Sequence, residues 1–527
     1  RLAGMLNSMK SPIKRLSPWL IAMLLIHQSL LVIPTPALAQ ESETNANVIG
    51  VLSFGLNNYG QLGHDDRENQ HTPKKIEGLS NIQAIVAGTY HSFALTKSGD
   101  VYSFGNGAAG QLGHGDKKVQ LTPKKIEGLP DIQAIAAGHN HSLALTKSGD
   151  VYSFGNSYHG QLGHGGREEQ LKPKKIDSLS NVQAIAAGHH HSLALTKSGD
   201  VYSFGRSDYG QLGHGNTEDQ LTPKKIDGLS NVQAIAAGAE HSLALTKSGE
   251  VYSFGLNNYG QLGHGDREDQ HTPKKIDGLS DIQAIAAGGY HSLALTKSGE
   301  LYAFGRGGYG QLGHGDTDDL LTPKKIEGLL DIQAIAGGAF HSLALTKSGD
   351  VYSFGDGWYG QLGHGDTDDL LTPKKIEGLS NIQAIAAGYN HSLIIQAQQD
   401  SAIQPDEASF DKNILKQREI FVTMELNGNT LIDVRNGTTS LLKGTDYIVN
   451  GNIVTIAKEY LADLPIGTTT LVFAFSAGSD ATLDITVSDS TLVPPADLIS
   501  VLSFGLGNYG QLGHDDRENQ HTPKKIE

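Results

Sequence analysis

The sequence of 527 residues contains no cysteine, and only two tryptophans and four methionines. Without cysteine there are no disulfides, no thiolate metal ligands and no cysteine nucleophile, so a packed core has to hold the fold. A Gly-x-Ser-x-Gly elbow, a zinc-protease motif and a carboxylate pair set apart from the rest are also missing. We therefore predict a protein that is not an enzyme and that has no cofactor or metal ion.

Positive charge is also scarce: the sequence has 41 Lys and Arg residues against 56 Asp and Glu residues, which gives a formal net charge of −15. Nucleic acid phosphates and anionic membrane surfaces repel such a chain. Glycine is abundant at 65 residues, yet 38% of the chain is hydrophobic, which excludes collagen and wholesale disorder. The composition predicts a globular protein that does not bind nucleic acid.

Residues 1–39 have the pattern of an export signal. Basic residues up to Arg15 precede an apolar run at 16–33, and Ala-Leu-Ala at 37–39 offers a cleavage site before Gln40. An uncleaved membrane anchor is the alternative. We predict a secreted or cell-surface protein that is not inserted in a membrane once the signal is cleaved.

A unit of 50 residues recurs seven times over 51–400 without insertion or deletion. Each unit holds four short strand-like runs, such as Val-Tyr-Ser-Phe-Gly at 251–255 and His-Ser-Leu-Ala-Leu-Thr at 291–296, separated by turn signals. Sustained helical periodicity is absent. Four strands in about fifty residues match a propeller blade, so we predict an all-β fold with a seven-bladed β-propeller over 47–398.

The two ends of the repeat array complement each other. Residues 51–55 begin the array without a preceding Ser-Leu-Ala-Leu strand, and residues 392–395 end it without a following Val-Tyr-Ser-Phe-Gly strand. Pairing of these segments completes the seventh blade and removes two exposed sheet edges. We therefore predict a closed ring, because open solenoids usually need distinct capping units.

The blocks Val-Tyr-Ser-Phe-Gly, Gly-Gln-Leu-Gly-His and Ala-Ala-Gly-x-x-His-Ser-Leu-Ala-Leu-Thr resemble the regulator-of-chromosome-condensation repeat family. This resemblance covers about two-thirds of the chain and implies the propeller fold. The family includes the nuclear exchange factor for the Ran GTPase, a plant ultraviolet-B receptor and a secreted bacterial inhibitor of β-lactamases. It therefore implies no single activity.

A different pattern occupies residues 407–489. Apolar and polar residues alternate at 420–424, and Asn450-Gly451 lies between two apolar pairs as a hairpin signal. Short strands and frequent turns predict a small immunoglobulin-like β-sandwich.

Three segments of this region resemble the immunoglobulin-like X-two modules: Leu-Asn-Gly-Asn at 426–429, Gly-Thr-Asp-Tyr at 444–447 and Phe-Ser-Ala-Gly at 475–478. Such modules accompany secreted carbohydrate-active and cell-surface proteins, and some bind polysaccharide. An exposed aromatic platform is not evident in the sequence, so a sugar binder and a spacer both remain open.

The last part of the chain returns to the repeat. A linker at 490–500 contains Pro494-Pro495, which stiffens it, and residues 501–527 restate residues 51–77 with one change. We interpret 501–527 as the truncated start of a second propeller.

Two classes of loop vary between the repeats, whereas the others are nearly identical. The strand order predicts that the two residues after Ala-Ala-Gly and the stretch that follows Val-Tyr-Ser-Phe-Gly share one face, here called the upper face. Variable loops suit an irregular partner, and Tyr and Trp are typical of binding surfaces. The predicted binding residues are Tyr59, Tyr90, His139, Asn140, Tyr158, His189, His190, Tyr209, Glu240, Tyr290, Phe340, Trp358, Tyr359 and Tyr389. The alternative is that these side chains only pack against neighbouring loops.

Recurring histidines follow Gly-Gln-Leu-Gly and precede Ser-Leu-Ala-Leu in the repeats. Equivalent residues of different blades usually lie too far apart to share a metal ion, so we interpret them as structural hydrogen-bonding groups. The consecutive His189, His190 and His191 suit chelation slightly better. The acidic segment at 314–319 lacks the full calcium-loop pattern.

These observations favour a binding or scaffold protein that recognises an extracellular protein or a cell-wall polysaccharide through the upper face. Inhibition of an extracellular enzyme is a special case. Nucleotide exchange on a small GTPase is the alternative that the family resemblance implies, although the export signal and the acidic charge argue against it. Light reception needs a tryptophan cluster, and only Trp358 lies in the propeller.

Overall fold

The computed structural model describes residues 48–397, 400–427, 429–476 and 478–492, and the strands Leu502–Gly505 and Gln520–Lys525. The predicted export signal lies outside the described residues. Residues Val48–Ala397 form one compact unit, and the described residues from 400 onward belong to a second. Within the described residues, no helix has the length and apolar character needed to cross a bilayer.

Strands are the only regular secondary structure among the described residues of the first unit. They are β1 (Val48–Gly55), β2 (Gln70–Lys75), β3 (Ile82–Ala87), β4 (His91–Thr96), β5 (Val101–Gly105), β6 (Gln120–Lys125), β7 (Ile132–Ala137), β8 (His141–Thr146), β9 (Val151–Gly155), β10 (Gln170–Lys175), β11 (Val182–Ala187), β12 (His191–Thr196), β13 (Val201–Gly205), β14 (Gln220–Lys225), β15 (Val232–Ala237), β16 (His241–Thr246), β17 (Val251–Gly255), β18 (Gln270–Lys275), β19 (Ile282–Ala287), β20 (His291–Thr296), β21 (Leu301–Gly305), β22 (Leu320–Lys325), β23 (Ile332–Gly337), β24 (His341–Thr346), β25 (Val351–Gly355), β26 (Leu370–Lys375), β27 (Ile382–Ala387) and β28 (His391–Ala397).

These strands form seven four-stranded antiparallel sheets, which are the seven blades. Six blades use four consecutive strands, beginning with β3 to β6, and the seventh has the order β2-β1-β28-β27. In the seventh blade Val51 lies opposite Ile395 and Gly55 lies opposite His391. The predicted propeller and its closure by the two ends of the array are therefore confirmed.

Burial changes from strand to strand within a blade. The second strand, for example β12, is buried at all six positions, whereas the fourth strand, for example β14, has only half-buried and exposed positions. Each core cluster of the propeller joins two neighbouring blades: Leu143 and Leu145 of one blade pack in a single cluster with Ala194 and Phe204 of the next. The alternation of small and large residues along the second strand thus stabilises both of its interfaces.

The outermost strand of each blade carries the sequence Pro-Lys-Lys, as at Pro73, Lys74 and Lys75. The register between β1 and β2 shifts between Ser53 and Gly55, opposite this proline. Proline has no N–H to donate, and exposed lysines discourage pairing with another chain. The blade edge is thereby protected from aggregation.

The second unit contains β29 (Ala402–Gln404), β30 (Glu407–Asp411), β31 (Ile420–Glu425), β32 (Leu431–Asn436), β33 (Thr439–Ser440), β34 (Tyr447–Asn450), β35 (Ile453–Ile456), helix α1 (Lys458–Asp463), β36 (Gly467–Phe475), β37 (Ala481–Ser488) and a 3-10 turn at Ser490–Leu492. Strands β38 (Leu502–Gly505) and β39 (Gln520–Lys525) follow. A four-stranded sheet, β29-β31-β35-β34, and a five-stranded sheet, β30-β37-β36-β32-β33, enclose one apolar core.

The hairpin predicted at Asn450-Gly451 is present, but its turn lies one residue later. Asn450 pairs with Ile453, so the two-residue loop is Gly451-Asn452, and Gly451 has a φ of 60°. Glycine adopts this left-handed conformation without steric cost, which fixes the turn at that residue. Helix α1, a single short helix, was not predicted.

Candidate functional site

The two variable loop classes meet at one end of the propeller. In one blade the backbone N–H of Asn106 donates to the carbonyl of Tyr90 over 2.8 Å, and in the seventh blade Leu56 makes the same bond to Asn390. These bonds join the loop after the third strand to the loop after the first strand. The predicted upper face therefore exists as one surface of the described propeller.

One part of this surface is a chain of aromatic and imidazole rings. The ring centroid of Tyr90 lies 5.0 Å from Tyr59, 5.9 Å from His139 and 6.1 Å from Tyr389. His189 completes the circuit, at 5.3 Å from His139 and 5.9 Å from Tyr389. These residues come from distant parts of the sequence and form one continuous surface.

His190 extends this group toward the exposed rim. Its ring lies 5.5 Å from His139 and 5.4 Å from His159, and His159 contacts the exposed Tyr158 at 5.0 Å. Burial lowers the pKa of His190 to about 4 and that of His189 to about 3. The imidazoles of His189 and His190 are therefore uncharged near neutral pH and add flat, weakly polar area to the surface.

A second group of rings on this surface surrounds Arg306. Its guanidinium carbon lies 4.9 Å from the ring of Tyr259, 5.1 Å from Phe340, 5.4 Å from Tyr309 and 5.9 Å from Tyr290. Such cation–π contacts hold both the arginine and the rings in place. Sequence reasoning missed Arg306 and His159 because it weighed aromatic residues above the other members of the variable loops.

Glu240 is a buried carboxyl group on the same face. Its oxygens accept hydrogen bonds from Arg206 Nη1 at 3.1 Å and from Gln211 Nε2 at 2.5 Å. Burial raises the pKa of Glu240 to about 7, although Arg206 and Gln211 favour the charged form. Glu240 is thus a polar group below the rim that Arg206 and Gln211 hold in place, and only 8% of it is exposed.

The remaining predicted residues differ in exposure. Trp358 is 72% exposed and Tyr158 is 67% exposed, whereas Tyr209 and Tyr359 are half-buried. Asn140 accepts a long hydrogen bond from Gln111 Nε2 at 3.4 Å. Most of the ring cluster therefore packs against itself, while Trp358 and Tyr158 remain largely exposed to solvent.

Below the upper face, the inner strands of all seven blades line a central cavity of about 150 Å³. Its wall consists mainly of alanine and glycine, such as Ala136, Ala187 and Gly238, and His189 and Tyr389 belong to it at the upper face. Small side chains let the seven inner strands approach closely. The aromatic and imidazole side chains of the lining, Tyr389 and His189, therefore lie only at the upper rim of the cavity.

One set of recurring histidines joins the blades in a ring. The Nε2–Oγ pairs are His91–Ser142, His141–Ser192, His191–Ser242, His241–Ser292, His291–Ser342, His341–Ser392 and His391–Ser92, at 2.8 to 3.1 Å. Each serine also donates to a carbonyl of the preceding blade, as Ser92 does to Gln61 over 2.8 Å. Because that hydroxyl proton is used, Nε2 must donate to the serine.

The second set acts within a blade. His64 Nε2 lies 2.8 Å from Ser53 Oγ, and the same hydroxyl donates to the carbonyl of Leu62 at 2.8 Å. Both sets therefore have the structural role that the sequence predicted. Among the described residues, no group of three or more histidine or acidic side chains has the arrangement of a metal site.

One blade lacks the serine of this second set. Ala303 occupies its position, and His314 Nε2 is buried without a partner. We expect Ala303→Ser to raise the free energy of unfolding by about 1 kcal/mol, because it restores two hydrogen bonds in space that a serine fills in the other blades. Urea titration monitored by circular dichroism measures this. The reverse change in another blade, Ser253→Ala, should destabilise the protein, and a destabilising Ala303→Ser would contradict the assignment.

The second unit has an exposed apolar face that the sequence did not reveal. On the outer side of its four-stranded sheet, Phe421 is 61%, Ile448 is 53% and Ile453 is 40% exposed. Phe421 and Ile448 both pair with Thr455, and Ile453 pairs with Thr423, so these side chains share one face. One exposed aromatic residue, Phe421, thus lies on an apolar face, and both interpretations of this unit, a sugar binder and a spacer, stay open.

Comparison with known families divides the chain in the same way. The RCC1-like domain matches residues 182–402, and the regulator of chromosome condensation (RCC1) repeat matches 50–95, 98–145, 148–195 and 500–527. Carbohydrate binding domain X2 matches residues 403–485.

Similar proteins support both assignments. The chain is 51% identical over 94 residues to a xyloglucanase of Paenibacillus sp and 48% identical over 94 residues to cellulose-binding protein A of Clostridium cellulovorans. Each match covers 18% of this chain but only 9% and 5% of those proteins. The crystal structure of Prp20p from Saccharomyces cerevisiae is 27% identical, has a TM-score of 0.62, and covers 69% of this chain and 97% of its own. The chain therefore belongs to the regulator of chromosome condensation (RCC1) repeat family and carries a carbohydrate binding domain X2 after its propeller.

Proposed function

We propose that this protein binds polysaccharide outside the cell without cleaving it, and that a glucan such as cellulose or xyloglucan is the ligand of its X2 domain. The observation that carries the proposal is the exposed apolar face of the X2 domain around Phe421. Relatives named for xyloglucan and cellulose, and the predicted export signal, support the ligand class and the location.

The geometry of this face suits a sugar chain. Phe421, Ile448 and Ile453 lie on a sheet surface, where an aromatic ring can stack on the apolar C–H side of a glucose ring. Thr423, between Gln404 and Ile453 in the register, supplies a polar group beside them. Polar groups next to an apolar platform match the alternating hydroxyl and C–H surfaces of a glucan.

We expect Phe421→Ala to weaken binding of the protein to insoluble cellulose by about tenfold, which corresponds to about 1.4 kcal/mol of lost contact energy. The measurement is depletion of protein from solution by a series of cellulose concentrations. Ile432→Ala is the matched control, because Ile432 is 66% exposed and lies on β32 of the other sheet. Equal binding by the two variants would remove Phe421 from the proposed site.

The upper face of the propeller supports a second, separate binding function for an extracellular protein or glycan. Trp358 and Tyr158 are exposed on this face, and Tyr158 contacts His159 of the ring cluster, which packing holds in place. Rigid aromatic side chains give contact area at a small cost in conformational entropy. The variable loops thus combine exposed aromatic side chains with a cluster of rings that are packed against one another.

For this face we expect Trp358→Ala to reduce recovery of the partner about tenfold or more, as is common for a central aromatic contact residue. The immobilised protein is incubated with culture medium and with envelope extract, and bound material is quantified by mass spectrometry and sugar analysis. Leu330→Ala is the control, since Leu330 is 77% exposed in a loop at the opposite end of the blades. Unchanged recovery with Trp358→Ala would count against the upper face as the site.

A further inference from the structure

We propose that Arg306 is the centre of a binding site for a sugar carboxylate on the upper face of the propeller, and that the ligand is a largely neutral glycan with isolated uronic acid residues. The proposal rests on the binding function proposed above for this face, and it names the chemistry of one subsite. Two arginines, Arg206 and Arg306, occupy equivalent positions of the repeat. Only the first of them is neutralised by carboxylates of the propeller.

Arg206 binds two carboxylates of its neighbouring loops. Its Nε donates to Asp208 Oδ2 at 2.7 Å, and its Nη1 donates to Glu240 Oε1 at 3.1 Å. The other oxygen of Glu240 accepts a hydrogen bond from Gln211 Nε2 at 2.5 Å. In this blade a guanidinium and an amide therefore bind one carboxylate between them.

Arg306 lacks both of these partners. Gly308 stands at the position of Asp208, and Phe340 stands at the position of Glu240. In the described part of the chain, the guanidinium of Arg306 contacts four aromatic rings and has no hydrogen bond or ion pair. Its positive charge is therefore left without a counter-ion from the propeller.

The amide beside Arg306 lacks the same acceptor. Gln311 Oε1 accepts the backbone N–H of Tyr309 at 2.9 Å, which fixes the orientation of the amide. Gln311 Nε2 is then buried without a hydrogen-bond partner among the described residues, whereas Gln211 Nε2 has Glu240. A buried donor without an acceptor costs free energy. Both donors that bind a carboxylate in the one blade thus lack it in the other.

The aromatic rings hold the guanidinium of Arg306 in place without neutralising it. Tyr259 and Phe340 lie 4.9 Å and 5.1 Å from its central carbon, and Tyr309 lies 5.4 Å from it. Cation–π contacts occupy the flat faces of a guanidinium and leave its N–H groups for an acceptor. Arg306 is half-buried, so it remains in contact with solvent. A fixed guanidinium with free N–H groups suits a carboxylate, which it can bind through two parallel hydrogen bonds.

The surroundings favour a carboxylate that is attached to a sugar. Half-buried tyrosines such as Tyr309 lie beside the guanidinium, and the C–H side of a pyranose ring can stack on them. The formal net charge of −15 repels a densely charged polymer. Isolated uronic acid residues on a neutral glycan combine one carboxylate with little repulsion.

Saturation-transfer NMR on the full chain tests the ligand class. The probes are methyl β-glucuronide and methyl β-glucoside, which differ only in a carboxylate against a hydroxymethyl group. We expect the glucuronide to bind at least about tenfold more tightly, as one charge-assisted pair allows. The amide of N-acetylglutamate, a peptide carboxylate without a sugar ring, should bind about tenfold more weakly than the glucuronide. Equal binding of the two sugars would overturn the proposal, and equal or tighter binding of the glutamate probe would assign the site to a protein ligand instead.

Gly308→Asp tests whether Arg306 is the site, because it supplies the carboxylate that Asp208 supplies to Arg206. A Cβ atom at Gly308 would lie 3.7 Å from Arg306 Nε, which is an ordinary contact, so the loop has room for the change. The internal carboxylate should compete with the ligand and weaken glucuronide binding at least about tenfold. Gly308→Ala is the matched control and should bind the glucuronide as the unchanged chain does. Undiminished binding by Gly308→Asp would remove Arg306 from the site.

The recovery experiment proposed for Trp358→Ala separates this site from the function of the whole face. Recovery of the partner that falls with both Trp358→Ala and Gly308→Asp supports both proposals. Recovery that falls with Trp358→Ala alone keeps the upper face as the binding surface but overturns the carboxylate site. Recovery that falls with Gly308→Asp alone supports the carboxylate site and removes Trp358 from the contact, and recovery that neither variant changes overturns both.

Discussion

Acidification from about pH 7 to about pH 5 is expected to unfold the propeller and to leave the X2 domain folded. The seven histidines that link the blades are fully buried, and burial lowers their pKa. For His91, His191, His241, His341 and His391 the pKa falls to about 3. In the unfolded chain each of these groups has an ordinary pKa near 6.5.

The sign of the effect follows from proton binding. Below about pH 6.5 the unfolded chain takes up protons that the folded propeller does not, so the free energy of unfolding falls as the pH falls, down to about pH 3. Each histidine contributes roughly 1 kcal/mol per pH unit, and seven together contribute on the order of 10 kcal/mol. That is comparable to the whole stability of a typical domain.

Carboxylates do not explain a transition in this window. The ion pair with Lys125 lowers the pKa of Asp100 below its ordinary value near 4, so such pairs matter only at lower pH. Residues 400–492 contain no histidine, and the X2 domain is therefore an internal control. Circular dichroism and urea titration at several pH values give the slope.

His241→Asn separates this cause from a general acid effect. The variant should be less stable near neutral pH, because Ser292 loses its donor, and its pH slope should decrease by about one proton. A propeller whose stability is constant from about pH 7 to about pH 5, or a slope that His241→Asn leaves unchanged, would contradict the histidine account.

Gly238→Ala is expected to destabilise the propeller by about 3 kcal/mol or more. A Cβ atom at this position would lie 2.5 Å from the carbonyl oxygen of Gly288 in the next blade and 2.2 Å from His241 Cε1. The histidine can move only by giving up its bond to Ser292, and the carbonyl belongs to the packed inner wall. The backbone of Gly238 is ordinary, so the whole cost is steric.

Gly228→Ala is the matched comparison. Gly228 has a φ of 80° and open space around its Cβ position, so this change costs only conformational strain of about 1 kcal/mol. Urea titration of both variants under one set of conditions gives the difference. If Gly238→Ala proved milder than Gly228→Ala, the close contact between neighbouring inner strands would be refuted.

The repeat period predicted the large features of the fold because each unit contains the sequence signals for its own strands and turns. The closure followed from two unpaired half-blades, and the structure pairs Val51 with Ile395 as that argument required. The bonds between blades were not predictable, because His91 and Ser142 are joined by the curvature of the ring and not by any local pattern. A sequence shows which residues recur but not which neighbour they contact.

The candidate sites show the same division. Variability and aromatic content located the upper face, but Arg306 was missed because its role depends on four rings from separate loops. The apolar face of the X2 domain was missed for a related reason. Alternation predicts that Phe421 points away from the core, but only strand register places Ile448 on the same side. Assignments that need register or ring geometry thus lay beyond the sequence.

Binding without catalysis is tested most directly by incubating the full chain with insoluble cellulose and measuring free protein and soluble sugar in the same samples. We predict saturable loss of protein from solution with no release of sugar above a blank without protein. Sugar release that grows with time, or protein that stays in solution at every cellulose concentration, would contradict the account.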